Sequence, residues 1–204
     1  TLFSTQWQFR RGGVAPAEYD RIMREVAEPA FHRLKEMCLA ERILRPAVVY
    51  GFFPCVSDGD DLIILQADQQ TERLRFHFPR QQGFESLCLS DYFVPRDSGR
   101  IDVVAFMAVT MGAEVSRRTH ELFVQNKYQD YLFLHGLGVE SAEALAEFFH
   151  QQIRREWGIA DQDATDIQKL FRKHYRGCRY SFGYPACPDL EDQTKLFELL
   201  RPER

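Results

Sequence analysis

The order of the repeating apolar patterns limits the fold of this chain more than any other feature of its sequence. Residues 15–44 place apolar side chains three and four positions apart, which is the period of an amphipathic helix. Short β-branched and aromatic runs follow at 47–55, 62–65 and 73–78, and a longer apolar run lies at 101–111. Helical patterns then fill the rest of the chain. Because strands and helices do not alternate as βαβ units, the sequence predicts an α+β fold with an antiparallel or mixed sheet.

Turn and capping residues indicate where these elements begin and end. Pro29 should kink the first helix or begin a second one, since proline has no N–H for the preceding turn. Asp58 and Gly59 predict a hairpin turn between the first two strands. The valines of 101–111 favour a strand there. The helices expected after it cover 113–135, 141–157 with Ser141 as its cap, a segment from Asp163 or Thr165 to His174, and a segment from Asp189 or Asp192 toward Leu200.

Length and charge are those of an ordinary globular domain. The 204 residues suffice for a single domain that buries about 70% of its unfolded surface. Its 26 basic and 30 acidic residues give a formal net charge of -4. A net negative chain gains nothing from whole-surface attraction to nucleic acid or anionic lipid, so neither is an expected partner. This argument concerns the net charge of the whole surface and does not apply to a local basic patch.

Cysteine usage and hydropathy predict a cytoplasmic protein. The five cysteines are odd in number and contain no CxxC pair, which indicates neither a disulfide framework nor a zinc ribbon. The apolar run at 101–111 is shorter than the ~20 residues that span a bilayer. Residues 1–13 lack the pattern of a signal peptide. Because the chain does not begin with Met, we expect it to be part of a longer protein.

Sequence patterns for metal sites and nucleophiles are weak. The six histidines are scattered without HxxxH or HExxH spacing, so no metal site is predicted. His174, Cys178 and Cys187 could form a three-ligand set only in principle, and small buried or partly exposed thiols are the simpler interpretation. The acidic turn SDGDD at 57–61 lacks the later Glu of a calcium loop and is better explained as a hairpin. No GxSxG or glycine-rich phosphate loop is present.

The stretch from Lys169 to Tyr184 is the strongest candidate binding segment. Five basic residues without an acidic one precede a run of aromatic residues. Such a segment can bind single-stranded nucleic acid, and it can equally hold a nucleoside-like small molecule. The structural alternative is a basic last helical turn, favourable at a helix C-terminus, followed by a Gly and Pro loop. The residues alone leave these three interpretations open.

A family resemblance narrows these alternatives. The sequence RYSFGYPACPD at 179–189 resembles the RxxxGYPACP signature of the reactivation domain of cobalamin-dependent methionine synthase. Three upstream stretches are similar to that domain in the same order, ILRPAVVYGFFPCVSDGDDLIIL, LCLSDYFVPRDSGRIDVVAFMAVTMG and AEALAEFFHQQIRREWG. Together they cover most of residues 41–200. The resemblance therefore does not depend on one motif.

The resemblance implies a fold and an activity. The fold is a single C-shaped α+β domain over residues 1–204, with a twisted antiparallel sheet and flanking helices. The activity that the resemblance implies is that of a module that binds S-adenosylmethionine and supports reductive methylation of inactive cob(II)alamin to methylcobalamin. The parent enzyme transfers a methyl group from 5-methyltetrahydrofolate to homocysteine, and its cobalamin is bound by another module. Expected partners are that module and flavodoxin or another flavoprotein reductant, and the isolated domain should not be catalytic alone.

The resemblance also implies the site residues. Arg179 corresponds to the signature arginine that holds S-adenosylmethionine, with Tyr180, Ser181 and Phe182 lining the loop and Gly183 and Tyr184 completing the motif. The helix acid that aligns with a ligand-contacting glutamate is Glu143, with Glu147 as the fallback.

Several departures from the family pattern bear on this site. Many members have RPAPGYPACP, so Tyr180 and Phe182 are larger than the prolines they replace, and Ser181 stands in place of an alanine. A family aspartate would precede Thr1 and a ligand tyrosine would follow Arg204, so some C-terminal sequence is expected to be missing. Two other functions stay open, a stand-alone reactivation protein for a separate corrinoid methyltransferase and single-stranded nucleic-acid binding through 169–184.

Overall fold

The structure of the protein is a computed structural model that describes residues 1–83 and 85–203. This part of the chain divides into two compact units. The first unit contains residues 1–47 and 109–149. The second unit runs from Val48 to Ala108 and from His150 onward, and it holds most of the sheet. It also holds residues 179–189, which we call the signature loop.

Within the described residues, the sheet has four strands in the order β3-β2-β1-β4 and is antiparallel, as the sequence predicts. The strands are β1 (Ala47–Asp58), β2 (Asp61–Leu65), β3 (Glu72–His77) and β4 (Asp102–Thr110). Asp58 pairs with Asp61 at the end of the first hairpin, and Gly59 takes a φ of 58° in the turn between them. The hairpin prediction is therefore confirmed.

Both faces of β2 are covered, because consecutive side chains of this strand belong to two different hydrophobic clusters. Leu62 and Ile64 belong to the main core of the second unit, whereas Ile63 and Leu65 pack with Val56 of β1. All four side chains are buried. The main core also contains side chains from β3 and the residue after it, from β4 and from the C-terminal region, namely Phe76, Phe78, Val104, Cys187 and Leu199.

The first unit begins with helices that follow the predicted amphipathic pattern. α1 (Pro16–Ile22) runs into a π-helical turn (Met23–Ala27), and α2 (Glu28–Ala40) follows. Pro29 lies in the first turn of α2, as expected for a residue that begins a second helix. Cys38 and Ile43 pack on Leu134 and Leu137 in the core of this unit.

The prediction for the next two helices is wrong at their boundary. α3 (Ala113–Val124) ends early, and α4 (Tyr128–Glu156) is continuous through the predicted break. Asn126 has a φ of 57°, and its left-handed conformation ends the first helix. Ser141 therefore lies inside α4 and is not an N-cap.

Of the last two helices, the first is shorter than predicted and the second has a predicted extent. α5 (Ile167–Phe171) is capped by Asp166, whose side chain accepts a hydrogen bond from the Gln168 N–H, so neither Asp163 nor Thr165 begins it. The left-handed Lys173 prevents it from reaching His174. α6 (Asp192–Leu200) begins at the second of the two predicted positions. No helix in the described ranges combines the length and the apolar character needed to cross a membrane.

Candidate functional site

The signature loop closes on itself through its own hydrogen bonds. The Gly183 N–H donates to the Cys187 carbonyl and the Cys187 N–H donates to the Tyr184 carbonyl, each at 2.9 Å. The Cys187 thiol donates to the Ser181 carbonyl at 3.1 Å. These bonds fix the path of the backbone from Ser181 to Cys187, which the sequence predicts only as irregular.

Phe182 and Cys187 attach this loop to the sheet. Cys187 belongs to the main core, and burial raises the pKa of its thiol. The Phe182 ring packs on the same core and stacks on Phe76 of β3, with ring centroids 5.7 Å apart and planes at 23°. The Phe182 side chain therefore anchors the loop to the sheet while it stays partly exposed, and its contact with a ligand stays a prediction.

Gly183 is required by the backbone conformation of the loop. Its φ is +95°, a region that residues with a Cβ rarely adopt. A Cβ at this position would also lie 3.0 Å from the Leu190 Cδ2 atom. The motif glycine thus keeps the turn tight against Leu190.

The polar side chains of the loop begin with Arg179. It is half-buried, and its Nη1 atom donates to the Ser181 hydroxyl oxygen at 3.4 Å. A guanidinium presents a planar fork of donors that matches the geometry of a carboxylate. The loop therefore offers a positive charge at a defined place, beside a hydroxyl and a tight backbone turn.

The two tyrosines of the motif leave much of their rings in solvent. Tyr180 is 49% exposed and Tyr184 is 64% exposed. Desolvation raises the pKa of Tyr180 to about 12, with smaller contributions from the side chains of Cys178 and Tyr92. The Tyr180 phenol therefore stays protonated at neutral pH and can act as a hydrogen-bond donor. Tyr184 presents an apolar ring with a polar tip.

The predicted glutamates lie in the other unit. Glu143 and Glu147 are both exposed on the part of α4 that belongs to the first unit, whereas residues 179–184 belong to the second. They are one helical turn apart and so share a face of α4. The assignment of Glu143 to the site stays a prediction.

The structure does not assemble a metal-binding set in the ranges it describes, where no three His, Cys, Asp or Glu side chains converge. Cys178 is exposed and Cys187 is buried. Most of the basic side chains that precede the loop lie on the surface, including Lys169, Arg172, Lys173 and Arg176.

Sequence analysis missed a buried polar cluster just before the loop, which we call the Arg154 cluster (His150, Arg154, Asp163 and Tyr175). Arg154 is 3% exposed, and its Nη2 atom lies 2.7 Å from the Asp163 Oδ2 atom. Its guanidinium also lies over the Tyr175 ring, 4.0 Å from the centroid. The spacing of His150 and Arg154 places them on one helix face, but the chain alone does not reveal their shared partner Asp163.

Surface depressions lie elsewhere in each unit. One of about 580 Å³ is lined by residues of the second unit that do not include the loop, namely Gln66, Ala67, Arg73, Glu198, Leu199 and Arg201. Another of about 490 Å³ is lined in the first unit by Thr1, Leu2, Phe3, Ser4, Tyr19, Met23 and Glu140. Neither depression brings together the cation, the glycine turn and the exposed aromatic ring found in the signature loop.

Comparison with known proteins assigns the chain to a family. Residues 1–204 match the family model described as vitamin B12 dependent methionine synthase, activation domain. The methionine synthases of Mycobacterium tuberculosis H37Rv and Mycobacterium leprae TN are each 41% identical to it over 217 residues. Those alignments cover 100% of this chain and 18% of each relative, so the chain spans under a fifth of their length.

A solved structure is similar in both sequence and fold. The crystal structure of the MetH reactivation domain bound to AdoHcy has a TM-score of 0.78 and 31% sequence identity. The match covers 91% of this chain and 61% of the solved chain. On the family model, the relatives and this fold, the chain belongs to the activation-domain family of vitamin B12 dependent methionine synthases.

Proposed function

We propose that this chain is the S-adenosylmethionine-binding module that supports reductive methylation of cob(II)alamin to methylcobalamin in a cobalamin-dependent methionine synthase. The family supports this proposal, as does the solved relative, which was crystallised with AdoHcy. The observation that carries it is the self-closed loop from Arg179 to Cys187. This loop combines a cation, an exposed aromatic ring and a glycine turn in the second unit.

The side chains of the loop fit the chemistry of S-adenosylmethionine. Its carboxylate suits the guanidinium of Arg179, which can donate two parallel hydrogen bonds. Its adenosine and methionine parts suit the exposed backbone of the tight turn at Gly183 and Tyr184. The exposed ring of Tyr184 can cover apolar atoms while its hydroxyl stays in water.

The residues of the loop have separate roles in this proposal. Arg179 binds and orients the ligand, and Ser181 holds the guanidinium through its hydroxyl. Tyr180 donates a hydrogen bond as a neutral phenol, whereas Phe182 fixes the loop to the sheet. When bound, S-adenosylmethionine supplies an electrophilic methyl group, whose transfer is essentially irreversible and so draws the preceding reduction forward. The resemblance adds Glu143 as an acidic ligand contact, with Glu147 as the fallback.

The remaining parts of the reaction belong to a larger protein. We infer that the parent is a cytoplasmic methyltransferase acting on 5-methyltetrahydrofolate and homocysteine, because the relatives are methionine synthases and are much longer than this chain. Its cobalamin would be bound by another module, and flavodoxin or another flavoprotein would supply the electron. The isolated chain should therefore bind S-adenosylmethionine without catalysing a reaction.

Calorimetric titration of S-adenosylmethionine into the isolated chain tests the proposal. The wild type should bind, and Arg179→Ala should weaken binding about tenfold or more, since a charge-assisted hydrogen bond is worth about 1.5–3 kcal/mol. Arg176→Ala is the matched control, because it removes a nearby exposed arginine and should leave affinity unchanged. Absence of wild-type binding at millimolar ligand would contradict the proposal.

A further inference from the structure

We propose that Arg154 is a positioning residue for the signature loop. Its buried guanidinium fixes the chain that enters the loop and so determines where Arg179 is presented. This inference rests on the proposed function in one respect only, which is the predicted effect on the affinity for S-adenosylmethionine. The contacts that carry it belong to the second unit and are independent of any ligand.

The first contact joins α4 to the segment before α5. Arg154 donates to Asp163 through two nitrogen atoms, Nε at 3.2 Å and Nη2 at 2.7 Å. The side chains of the pair are only 4% and 9% exposed, so solvent screens their attraction weakly. A buried fork of this kind restrains both the distance and the angle between the two segments.

The second contact fixes the orientation of the guanidinium. The Nη1 atom lies 2.9 Å from the Nδ1 atom of His150, one helical turn earlier on α4. A guanidinium has no acceptor, so Nδ1 must accept and the neutral ring carries its proton on Nε2. His150 thus holds the plane of the Arg154 side chain from within its own helix.

The third contact reaches the entry to the loop. The Arg154 guanidinium covers the Tyr175 ring at 4.0 Å, and the His150 ring meets Tyr175 edge-on at 5.3 Å. Gly177 has a φ of +88° and lies beside the aliphatic part of Arg154. A Cβ built on Gly177 would lie 3.8 Å from the Arg154 Cδ atom. The aliphatic part of Arg154 therefore borders the side of Gly177 where a side chain would lie, two residues before Arg179.

The far end of the loop is held by different residues. Phe182 and Cys187 attach it to the main core of the sheet. The loop is thus fixed at both ends, and the few residues between Gly177 and Phe182 carry Arg179 across the gap. Loosening the Arg154 end should misplace Arg179 while the sheet end and the core stay intact.

Arg154→Lys tests this role, because lysine keeps the charge but has no planar fork. We expect faster amide hydrogen exchange in residues 176–188, unchanged exchange in β2, and an S-adenosylmethionine dissociation constant raised about tenfold. Arg155→Lys is the matched control, since Arg155 is the exposed neighbour on the same helix. It should change neither measurement.

The outcomes separate this inference from the proposed function. Unchanged exchange in 176–188, or equal acceleration in 176–188 and β2, would overturn a positioning role for Arg154. If the wild type does not bind S-adenosylmethionine, the proposed function fails. The difference in amide hydrogen exchange between residues 176–188 and β2 still decides whether Arg154 holds the loop. If Arg154→Lys does not fold, Asp163→Asn replaces it, because this variant removes the partner carboxylate with little change in volume.

Discussion

At the scale of single residues, the signature loop depends on positions whose chemistry has few substitutes. Gly183 supplies a backbone conformation, Cys187 supplies a buried anchor, and Arg179 supplies a charge. The resemblance identified the motif, but the anchoring roles of Phe182 and Cys187 are visible only in the packing. Sequence alone could not separate them from ligand contacts, because aromatic and thiol side chains serve either purpose.

Gly183→Ala should lower the free energy of unfolding by about 1–3 kcal/mol, because alanine at a positive φ is strained and its Cβ would approach Leu190. Urea denaturation of the purified chain measures this loss. Gly83→Ala is the control, since no heavy atom lies within 4 Å of a Cβ built there. Equal stability of both variants would show that the turn tolerates a Cβ.

The cysteines should differ in reactivity, because the thiolate is the reactive form. Burial raises the pKa of Cys38, Cys55 and Cys187, so each has less thiolate at pH 8 than an ordinary cysteine. Cys178 is exposed. Timed alkylation of the folded protein followed by mass spectrometry should show Cys178 modified first. Early modification of Cys187 would contradict its place in the core.

At the scale of elements, the strands were predictable and the long helix was not. The β-branched and aromatic runs with their turn, the alternation at 73–78 and the valines of 101–111 located β1 to β4 closely. The predicted gap at 136–140 is helical instead, and it contains Gly136 and Gly138. Glycine is a poor helix former in isolation, so these two residues favour a break in the helix. In the folded chain, however, a neighbour can pack so closely on a helix that only glycine fits, and that neighbour is distant in sequence.

Gly136→Ala should destabilise the protein although alanine favours a helix by about 1 kcal/mol. A Cβ at Gly136 would lie 2.7 Å from the Gln6 Cβ and 3.0 Å from two atoms of the buried Trp7 ring. Overpacking of this kind costs about 1–3 kcal/mol, which exceeds the helical gain. Thermal unfolding should show the loss, with Gly138→Ala as the milder control, where the nearest atom is 3.2 Å away.

The short helix at Leu89–Tyr92 should contribute a pH-dependent part of stability. Hydrogen bonds from Arg80 and from the Cys88 N–H lower the pKa of Asp91 from 3.8 to about 2. A depressed pKa stabilises the fold above the ordinary value, and that stabilisation is lost as the pH falls from about 4 through about 2. Unfolding midpoints measured across this range should fall less steeply for Asp91→Asn than for wild type.

At the scale of the whole molecule, ligand binding should be visible as stability. A ligand that binds only the folded state stabilises it by about 2.7 kcal/mol at a concentration 100 times its dissociation constant. S-adenosylmethionine should therefore raise the thermal midpoint of the wild type progressively. Arg179→Ala should require a higher ligand concentration for the same shift. A wild-type midpoint independent of ligand would contradict binding to the folded chain.

The double coverage of β2 has a consequence for strand register. In most antiparallel sheets a slip by one residue would turn apolar side chains toward water, so the core itself enforces the register. Every residue from Leu62 to Leu65 is apolar and buried, so a slip of β2 exchanges one apolar set for another. Correct pairing then depends on the tight turn between β1 and β2 and on polar groups at the strand end. The Asp61 Oδ2 atom lies 2.7 Å from the Arg75 Nη1 atom, and its Oδ1 atom lies 2.7 Å from the His77 Nδ1 atom. These contacts to β3 favour the native alignment, because a slip of β2 would break both.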